Sequence, residues 1–367
     1  MADTKKDTSI PVTVLTGFLG AGKTTLLQHL LTQPHGYKCA IIINEFGEVG
    51  IDGQLVVGAD EEVVELNNGC LCCRVRGDLV KTLADLLKRQ KRFDYVLVET
   101  TGLADPSPIA HTFYLPQLQE KLRLDAIVTV ADARHLEGVL DKAPEALPQI
   151  AFADVILLNK TDLATPHDLD RVERRIRHIN PLAKIHRTQR SQVDMGKIFN
   201  THARDLSAPL EIPVEKPAHG QAGHECDDHC EHEHAHAHSH DHDCGHDHEH
   251  GEHCDHEDHD HDHAGRHDDA VRSFHILDER PLDLKRTEAW LNELLAKGGE
   301  NIYRAKGILH IQGVPKRVIF QSVQMMFDVE PERFWKAEEK RGNQLVFIGK
   351  ELDEAGIRAG FAACVAG

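Results

Sequence analysis

Gly17-Phe18-Leu19-Gly20-Ala21-Gly22-Lys23-Thr24-Thr25 has the form G-x-x-x-x-G-K-T. The seven residues before it, Ile10-Pro11-Val12-Thr13-Val14-Leu15-Thr16, are strand-like, and residues 24–31 after it read as a helix. A glycine-rich turn between a strand and a helix is the setting of a phosphate-binding loop. Glycines let the chain curl so that its N–H groups face phosphate oxygens, and the helix N-terminus adds a favourable dipole. On this reading Gly17, Gly20, Ala21, Gly22 and Thr25 belong to the cradle. Lys23 brings a positive charge to the β- and γ-phosphates, and the Thr24 hydroxyl holds Mg²⁺. A chance turn would lack the strand before it and the helix after it.

Working outward, residues 39–43, 95–98, 126–130 and 155–158 are short and almost wholly apolar. Such strands belong in a parallel sheet covered on both faces. Amphipathic runs at 78–89 and 168–179 lie between them, which predicts a doubly wound, mostly parallel α/β fold of the P-loop NTPase type over residues 1–206. Ligands of such sheets bind at the carboxyl ends of the strands. Residues 207–270 contain a tract rich in His, Asp and Glu, with too few apolar side chains to form a core, and read as a disordered metal-binding linker. From 271 to 367 the folded pattern resumes, with a helix at 287–295, strands at 307–313, 317–320 and 343–349, and a final helix. This second folded part is a small α+β domain.

Charge sharpens the picture once it is located. The formal net charge is −18, but residues 224–269 carry 17 Asp and Glu against one Arg. The rest of the chain is therefore near −2 and has no broad basic face, which argues against nucleic acid as a partner. No apolar run approaches the roughly 20 residues of a membrane span, and the N-terminus lacks a signal-peptide core. Cys364-Val365-Ala366-Gly367 has the outline of a prenylation box, but the terminal Gly and the absence of a basic cluster argue against that use. The expected setting is cytoplasmic, where nine cysteines serve as ligands or packed thiols rather than disulfides.

Two further motifs follow strands. Asn159-Lys160-Thr161-Asp162 is N-K-x-D, the guanine reader of P-loop proteins. The Asp162 carboxylate accepts hydrogen bonds from guanine N–H groups, and adenine would leave those groups unpaired. GTP is thus expected over ATP, with Asn159, Lys160 and Asp162 on the base side. Glu99-Thr100-Thr101-Gly102 stands where many GTPases carry D-x-x-G. Glu99 would support Mg²⁺ through a water, and the Gly102 N–H would sense the γ-phosphate. Lys23, Thr24, Glu99 and Gly102 are the candidate catalytic set. Leu103 occupies a position where some GTPases have a water-orienting Gln, so intrinsic hydrolysis should be slow.

Cys70-Leu71-Cys72-Cys73 lies in sequence between the acidic loop Asn44-Glu45-Phe46-Gly47-Glu48 and the Glu99–Gly102 stretch. Three thiols within four residues can converge on one soft or borderline cation. A redox pair, given C-x-x-C between Cys70 and Cys73, and packed thiols are the alternatives. As a set, T-G-F-L-G-A-G-K-T-T-L-L, N-E-F-G-E, N-G-C-L-C-C, E-T-T-G-L-A-D-P and N-K-T-D resemble the CobW-like metal-trafficking GTPases in type and order. Arg304-Ala305-Lys306-Gly307 and Phe320-Gln321-Ser322-Val323-Gln324 are similar to that family's C-terminal domain. The resemblance spans the chain apart from the His-rich segment. It implies a GTP-driven metallochaperone, often in zinc homeostasis, with relatives handling cobalt for cobalamin or iron for nitrile hydratase. It also implies Cys70, Cys72 and Cys73 as metal-site thiols, with Glu48 as a nearby carboxylate.

The linker supplies a second kind of metal chemistry. His232, His234, His236, His238 and His240 alternate with small or acidic residues, joined by Cys226, Cys230, Cys244 and Cys254. Mobile imidazoles suit Zn²⁺, Co²⁺, Ni²⁺ and Cu²⁺ with little selectivity. A solubilising spacer is the plainer reading. His111, His275 and His310 read as structural or surface residues, and Cys39 and Cys364 as packed ones. The leading function is a GTPase that passes a metal, Zn²⁺ before Co²⁺ or Ni²⁺, to a client metalloprotein. The alternatives are a divalent-metal store acting through the linker and a nickel- or cobalt-insertion GTPase. A homodimer is compatible with either.

Overall fold

The computed structural model describes residues 9–44, 62–66, 72–88, 93–203, 271–323 and 326–367. Among the described residues, seven parallel strands form the first sheet: β1 (Ile10–Thr16), β2 (Cys39–Asn44), β3 (Glu62–Leu66), β4 (Tyr95–Glu99), β5 (Leu122–Asp132), β6 (Val155–Asn159) and β7 (Lys184–Arg187). Their spatial order is β3-β2-β4-β1-β5-β6-β7. Successive side chains of a strand alternate between faces, and here both faces are apolar. Val12 and Val14 of β1 join Ala40, Ile42, Val96 and Val98 in the core on one face. Leu15, Ile41, Ile43 and Leu97 pack into the core on the other.

Helices α1 (Lys23–Thr32), α2 (Cys72–Lys88), α3 (Ser107–Thr112), α4 (Pro116–Gln119), α5 (Leu136–Lys142), α6 (Ala146–Ala151) and α7 (Pro166–Ile179) cover the sheet. Leu26, Leu27 and Leu30 bury the inner face of α1 against one side. Leu79, Leu83 and Leu86 of α2 meet Ile109, Ala110 and Phe113 around α3 on the other side. Each buried Leu contributes on the order of 1.5–3 kcal/mol relative to exposure. α7 starts at a reciprocal cap in which Thr165 and Asp168 each satisfy the other's backbone N–H. The strand reading of 10–16, 39–43, 95–98, 126–130 and 155–158 holds. The strand expected at 307–313 instead ends at Leu309, with a turn at Gln312 and Gly313, and α2 begins at Cys72, six residues before the expected start at 78. The leucine rhythm that marks the helix begins only at Leu79, so its first turn carries no periodic signal.

The C-terminal part is a separate five-stranded antiparallel sheet. Its strands are β8 (Val271–Asp278), β9 (Ile302–Leu309), β10 (Lys316–Val323), β11 (Met326–Phe334) and β12 (Asn343–Lys350), ordered β11-β10-β9-β12-β8. Two helices, α8 (Leu284–Gly298) and α9 (Glu354–Ala363), are N-capped by Asp283 and Asp353. Trp290, Leu291, Ile357 and Phe361 pack them onto Phe274, Leu309, Phe320 and Phe347. The opposite face of this sheet meets the first domain, where Val271, Val346 and Ile348 share a core with Ala151, Leu169 and Ile176. Arg304 pairs with Asp154 at 2.6 Å, the two side chains 5% and 0% exposed, and it also donates to the Ala153 carbonyl at 3.1 Å. Tyr303 stacks on Phe152 beside them, ring centroids 5.3 Å apart.

Candidate functional site

The loop after β1 sits at the centre of the sheet, where the chain first turns away to β2 and later continues on the far side through β5. That is the topological switch point at which open α/β sheets bind ligands. Gly17 and Gly22 adopt φ of 136° and 113°, outside the range of ordinary residues. A Cβ on Gly17 would stand 2.2 Å from the Val130 carbonyl oxygen, and one on Gly22 would stand 2.5 Å from Asn159 Nδ2. Gly22 is also the N-cap of α1 and offers no side-chain cap to its first turn. Those first amides suit an anion.

Lys23 is buried and donates from Nζ to the Gly17 carbonyl at 2.7 Å and to the Phe18 carbonyl at 3.3 Å. Its ammonium is therefore held inside the loop that would wrap the phosphates. Burial pushes the Lys23 pKa down, and the charge of Glu99 opposes that shift. Glu99 ends β4 and is 6% exposed. Thr24 and Thr25 open α1 on its exposed side. A buried carboxylate and an exposed hydroxyl at the two edges of a phosphate cradle are hard oxygen donors of the kind Mg²⁺ takes.

On the base side, Asn159 acts within the protein. Its Nδ2 donates to the Ala21 carbonyl at 2.9 Å and to Ser191 Oγ at 3.0 Å, while its Oδ1 accepts from the Ser191 N–H at 2.8 Å and from Thr188 Oγ1 at 3.2 Å. Ser191 Oγ in turn donates to the Gly22 carbonyl at 3.0 Å. One carboxamide thus joins the phosphate loop to the segment after β7, in which Arg190 and Ser191 have φ of 49° and 54°. Lys160 is itself left-handed, φ 60°, and its ammonium donates to Asp132 at 2.8 Å. Burial works against ionisation of Asp132. Hydrogen bonds from Lys160, His135 and the Arg134 amide outweigh it and hold the carboxyl below its ordinary range. Asp162 stands exposed in the 3₁₀ turn Thr161–Leu163, which Thr161 fastens by donating to the Thr188 carbonyl at 3.1 Å. Sequence reasoning missed Asp132, Thr188 and Ser191. Only the position of Asp132 at a strand's carboxyl end could have flagged one of them.

The Glu99–Gly102 stretch leaves β4 and packs on the phosphate loop. A Cβ on Gly102 would stand 2.8 Å from the Leu19 backbone nitrogen. Leu103 is 49% exposed and brings no polar group to that edge. Beside the loop lies a cavity of about 380 Å³ lined by Phe18, Leu19, Asp132, His135, Gln149 and Lys160 among others. Cys72 and Cys73 are the first two residues of α2, whereas Glu48, Cys70, His232, His234, His236, His238 and His240 lie outside the described residues. Among the described residues, no group of three or more His, Cys, Asp or Glu is placed to hold a metal ion. Cys39 and Cys364 are buried, as expected. No helix among the described residues is long and apolar enough to cross a membrane.

Strand, glycine loop, capless helix and inward lysine together define a P-loop nucleotide-binding protein. Residues 11–187 match the family described as CobW/HypB/UreG, nucleotide-binding domain, and residues 271–365 match the cobalamin synthesis protein cobW C-terminal domain. The chain belongs to the CobW family. It is 34% identical to the zinc chaperone YjiA of Escherichia coli over 358 residues, covering 96% of this chain and 98% of that one. It is 38% identical over 242 residues to zinc-regulated GTPase metalloprotein activator 1 of Dictyostelium discoideum, covering 56% of this chain and 51% of that protein. The crystal structure of Zn(II)-bound YjiA GTPase from E. coli superposes with a TM-score of 0.71 at 30% identity, covering 98% of this chain and 99% of that one.

Proposed function

We propose that the protein is a GTP-hydrolysing zinc metallochaperone in which nucleotide turnover drives metal transfer from the Cys70, Cys72 and Cys73 thiols to a client metalloprotein. The supporting observation is the placement of α2. The helix begins at Cys72 and Cys73, and its apolar face shares a core with α3. α3 in turn begins at Ser107, five residues after Gly102. A change at the γ-phosphate sensor therefore has a short packed route to the helix that opens on Cys72 and Cys73. Two ligands linked through one pair of packed elements is the physical requirement of such a switch.

In this reading the loop from Gly17 to Thr25 cradles GTP, Asp162 reads guanine, and Lys23 neutralises the β- and γ-phosphates. Thr24, with support from Glu99, would hold Mg²⁺, whose charge would offset that of the transferring phosphoryl group. With no polar side chain at Leu103, turnover by the isolated protein is slow. The names of the relatives, a zinc chaperone and a zinc-regulated GTPase metalloprotein activator, support zinc as the cargo.

The test is competitive zinc titration against a chromogenic chelator, on the full chain and on protein lacking residues 224–267. GTP should tighten the highest-affinity zinc site relative to GDP by roughly 5–150-fold, and zinc should tighten GTP by the same factor. Cys72→Ser/Cys73→Ser should abolish the shift with GTP binding retained. One zinc affinity shared by the apo, GDP and GTP forms would refute coupling. Loss of the tight site with residues 224–267 would favour storage through the linker instead.

A further inference from the structure

The polar group that holds the γ-phosphate sensor comes from an element no motif marks. Gln149, in the middle of α6, is 2% exposed. Its Nε2 donates to the Gly102 carbonyl at 3.1 Å and to the Ala104 carbonyl at 3.1 Å. The residue is itself seated from β5, where Thr129 Oγ1 donates to the Gln149 carbonyl at 2.7 Å. The loop is fixed at both ends as well. The Thr100 N–H donates to the Leu15 carbonyl at 2.9 Å, and Asp105 accepts from the Ser107 N–H at 2.8 Å and from its hydroxyl at 2.6 Å. Between those anchors, the Gln149 carboxamide grips the two carbonyls on either side of Leu103.

We infer that Gln149 is a positioning residue for GTP hydrolysis, setting the backbone of Gly102–Ala104 against the phosphate loop. The inference rests on the GTPase reading. A trans peptide unit is planar, with its C=O and N–H pointing in opposite directions. A carbonyl fixed toward Gln149 therefore directs the following amide, that of Leu103 or of Asp105, away from α6. The bonds form beside the Phe18, Leu19 and Ile150 wall of the cavity, and the one to Gly102 is buried. GDP lacks the phosphate that this loop senses, so the contribution of Gln149 falls on GTP alone. Removing a positioning group of this loop therefore weakens GTP binding and loses transition-state geometry, while GDP binding is kept.

The experiment uses the full chain with Gln149→Leu, which removes the donor, and Gln149→Glu, which turns a carboxylate on the two carbonyls. Fluorescent GTP and GDP titrations, single-turnover hydrolysis and thermal melting are read together. GTP affinity and hydrolysis should each fall about tenfold for Gln149→Leu and further for Gln149→Glu, with GDP affinity within about twofold of wild type. Should both fail to fold, Thr129→Val loosens the seat of Gln149 and should move the same ratio in the same direction by about threefold. Folded variants with an unchanged GTP-to-GDP affinity ratio and unchanged hydrolysis would overturn the inference. So would equal losses of GTP and GDP, the signature of a merely structural role, and so would tighter GTP binding, the signature of a latch on the empty state. Wild-type protein that neither binds nor hydrolyses GTP would overturn the parent reading, and this inference with it.

Discussion

Asn159 and Asp162 belong to one tetrapeptide, yet their surroundings assign them separable work, and substitution should pull the two apart. Asn159 is 2% exposed and makes four hydrogen bonds, to Ala21, Thr188 and twice to Ser191. At a net of about 0.5–1.5 kcal/mol each, their loss in Asn159→Ala amounts to roughly 2–6 kcal/mol. Non-additivity within one network favours about 3 kcal/mol. The Ala21 carbonyl and the Ser191 N–H are left without that partner, so the phosphate loop and the Thr188–Ser191 segment lose their common tie. Stability should fall, and GTP, GDP and ATP should weaken together because the cradle itself is displaced. Asp162 is exposed, so Asp162→Ala should leave stability within about 0.5 kcal/mol. It should weaken guanine nucleotides by about 1.5–3 kcal/mol, roughly 10–150-fold, and leave ATP unchanged. Urea denaturation gives the stabilities and isothermal calorimetry with three nucleotides gives the affinities. If Asn159→Ala kept wild-type stability while losing only guanine nucleotides, the clamp reading of Asn159 would be refuted.

Two further expectations concern the C-terminal domain. Arg304→Ala strands Asp154 as a buried charge without its guanidinium and should destabilise the protein by about 3–5 kcal/mol in urea; Arg304→Met/Asp154→Asn should recover most of that loss, and failure to recover would mean that the pair carries more than charge compensation. Glu339, gripped first by hydrogen bonds from Arg333 and further by the Lys336 amide and the Arg317 charge, has its carboxyl lowered from 4.5 to about 2. A depressed carboxyl stabilises the fold fully above its unfolded value and loses that contribution as pH falls through the folded one. The stability gap between wild type and Glu339→Gln should therefore be full above about pH 5 and close between about pH 4.5 and 2, followed by fluorescence of the neighbouring Trp335. A gap independent of pH would remove Glu339 from the acid response.

What the sequence made legible follows from how each feature is encoded. Strands β1, β2, β4, β5 and β6 are buried on both faces, so nearly every residue in them must be apolar, and a run of four or five suffices to mark them. β3 and β7 lie at the two edges of the sheet, where Glu62, Glu65, Lys184 and Arg187 interrupt the run and no such signal survives. The phosphate loop was readable because its backbone geometry tolerates few residue types, as the 2.2 Å approach of a Gly17 Cβ to Val130 demonstrates. Gln149, Thr188 and Ser191 are the converse case. Each acts through side-chain contacts to a backbone or side chain 29 to 169 residues distant in sequence, and nothing in the neighbouring residues prescribes the partner. The same reasoning separates the two halves of the proposed switch. The nucleotide half is written locally, in the loops 17–25 and 159–162 proposed to hold phosphate and base. The coupling half consists of Leu79, Leu83, Ile109 and Phe113, ordinary core residues whose significance comes only from lying between a helix that opens on Cys72 and one that follows Gly102. A leucine in a relay and a leucine in an inert core have the same periodicity. Substitutions there are thus the ones whose effect on zinc–GTP coupling has to be read from the folded arrangement.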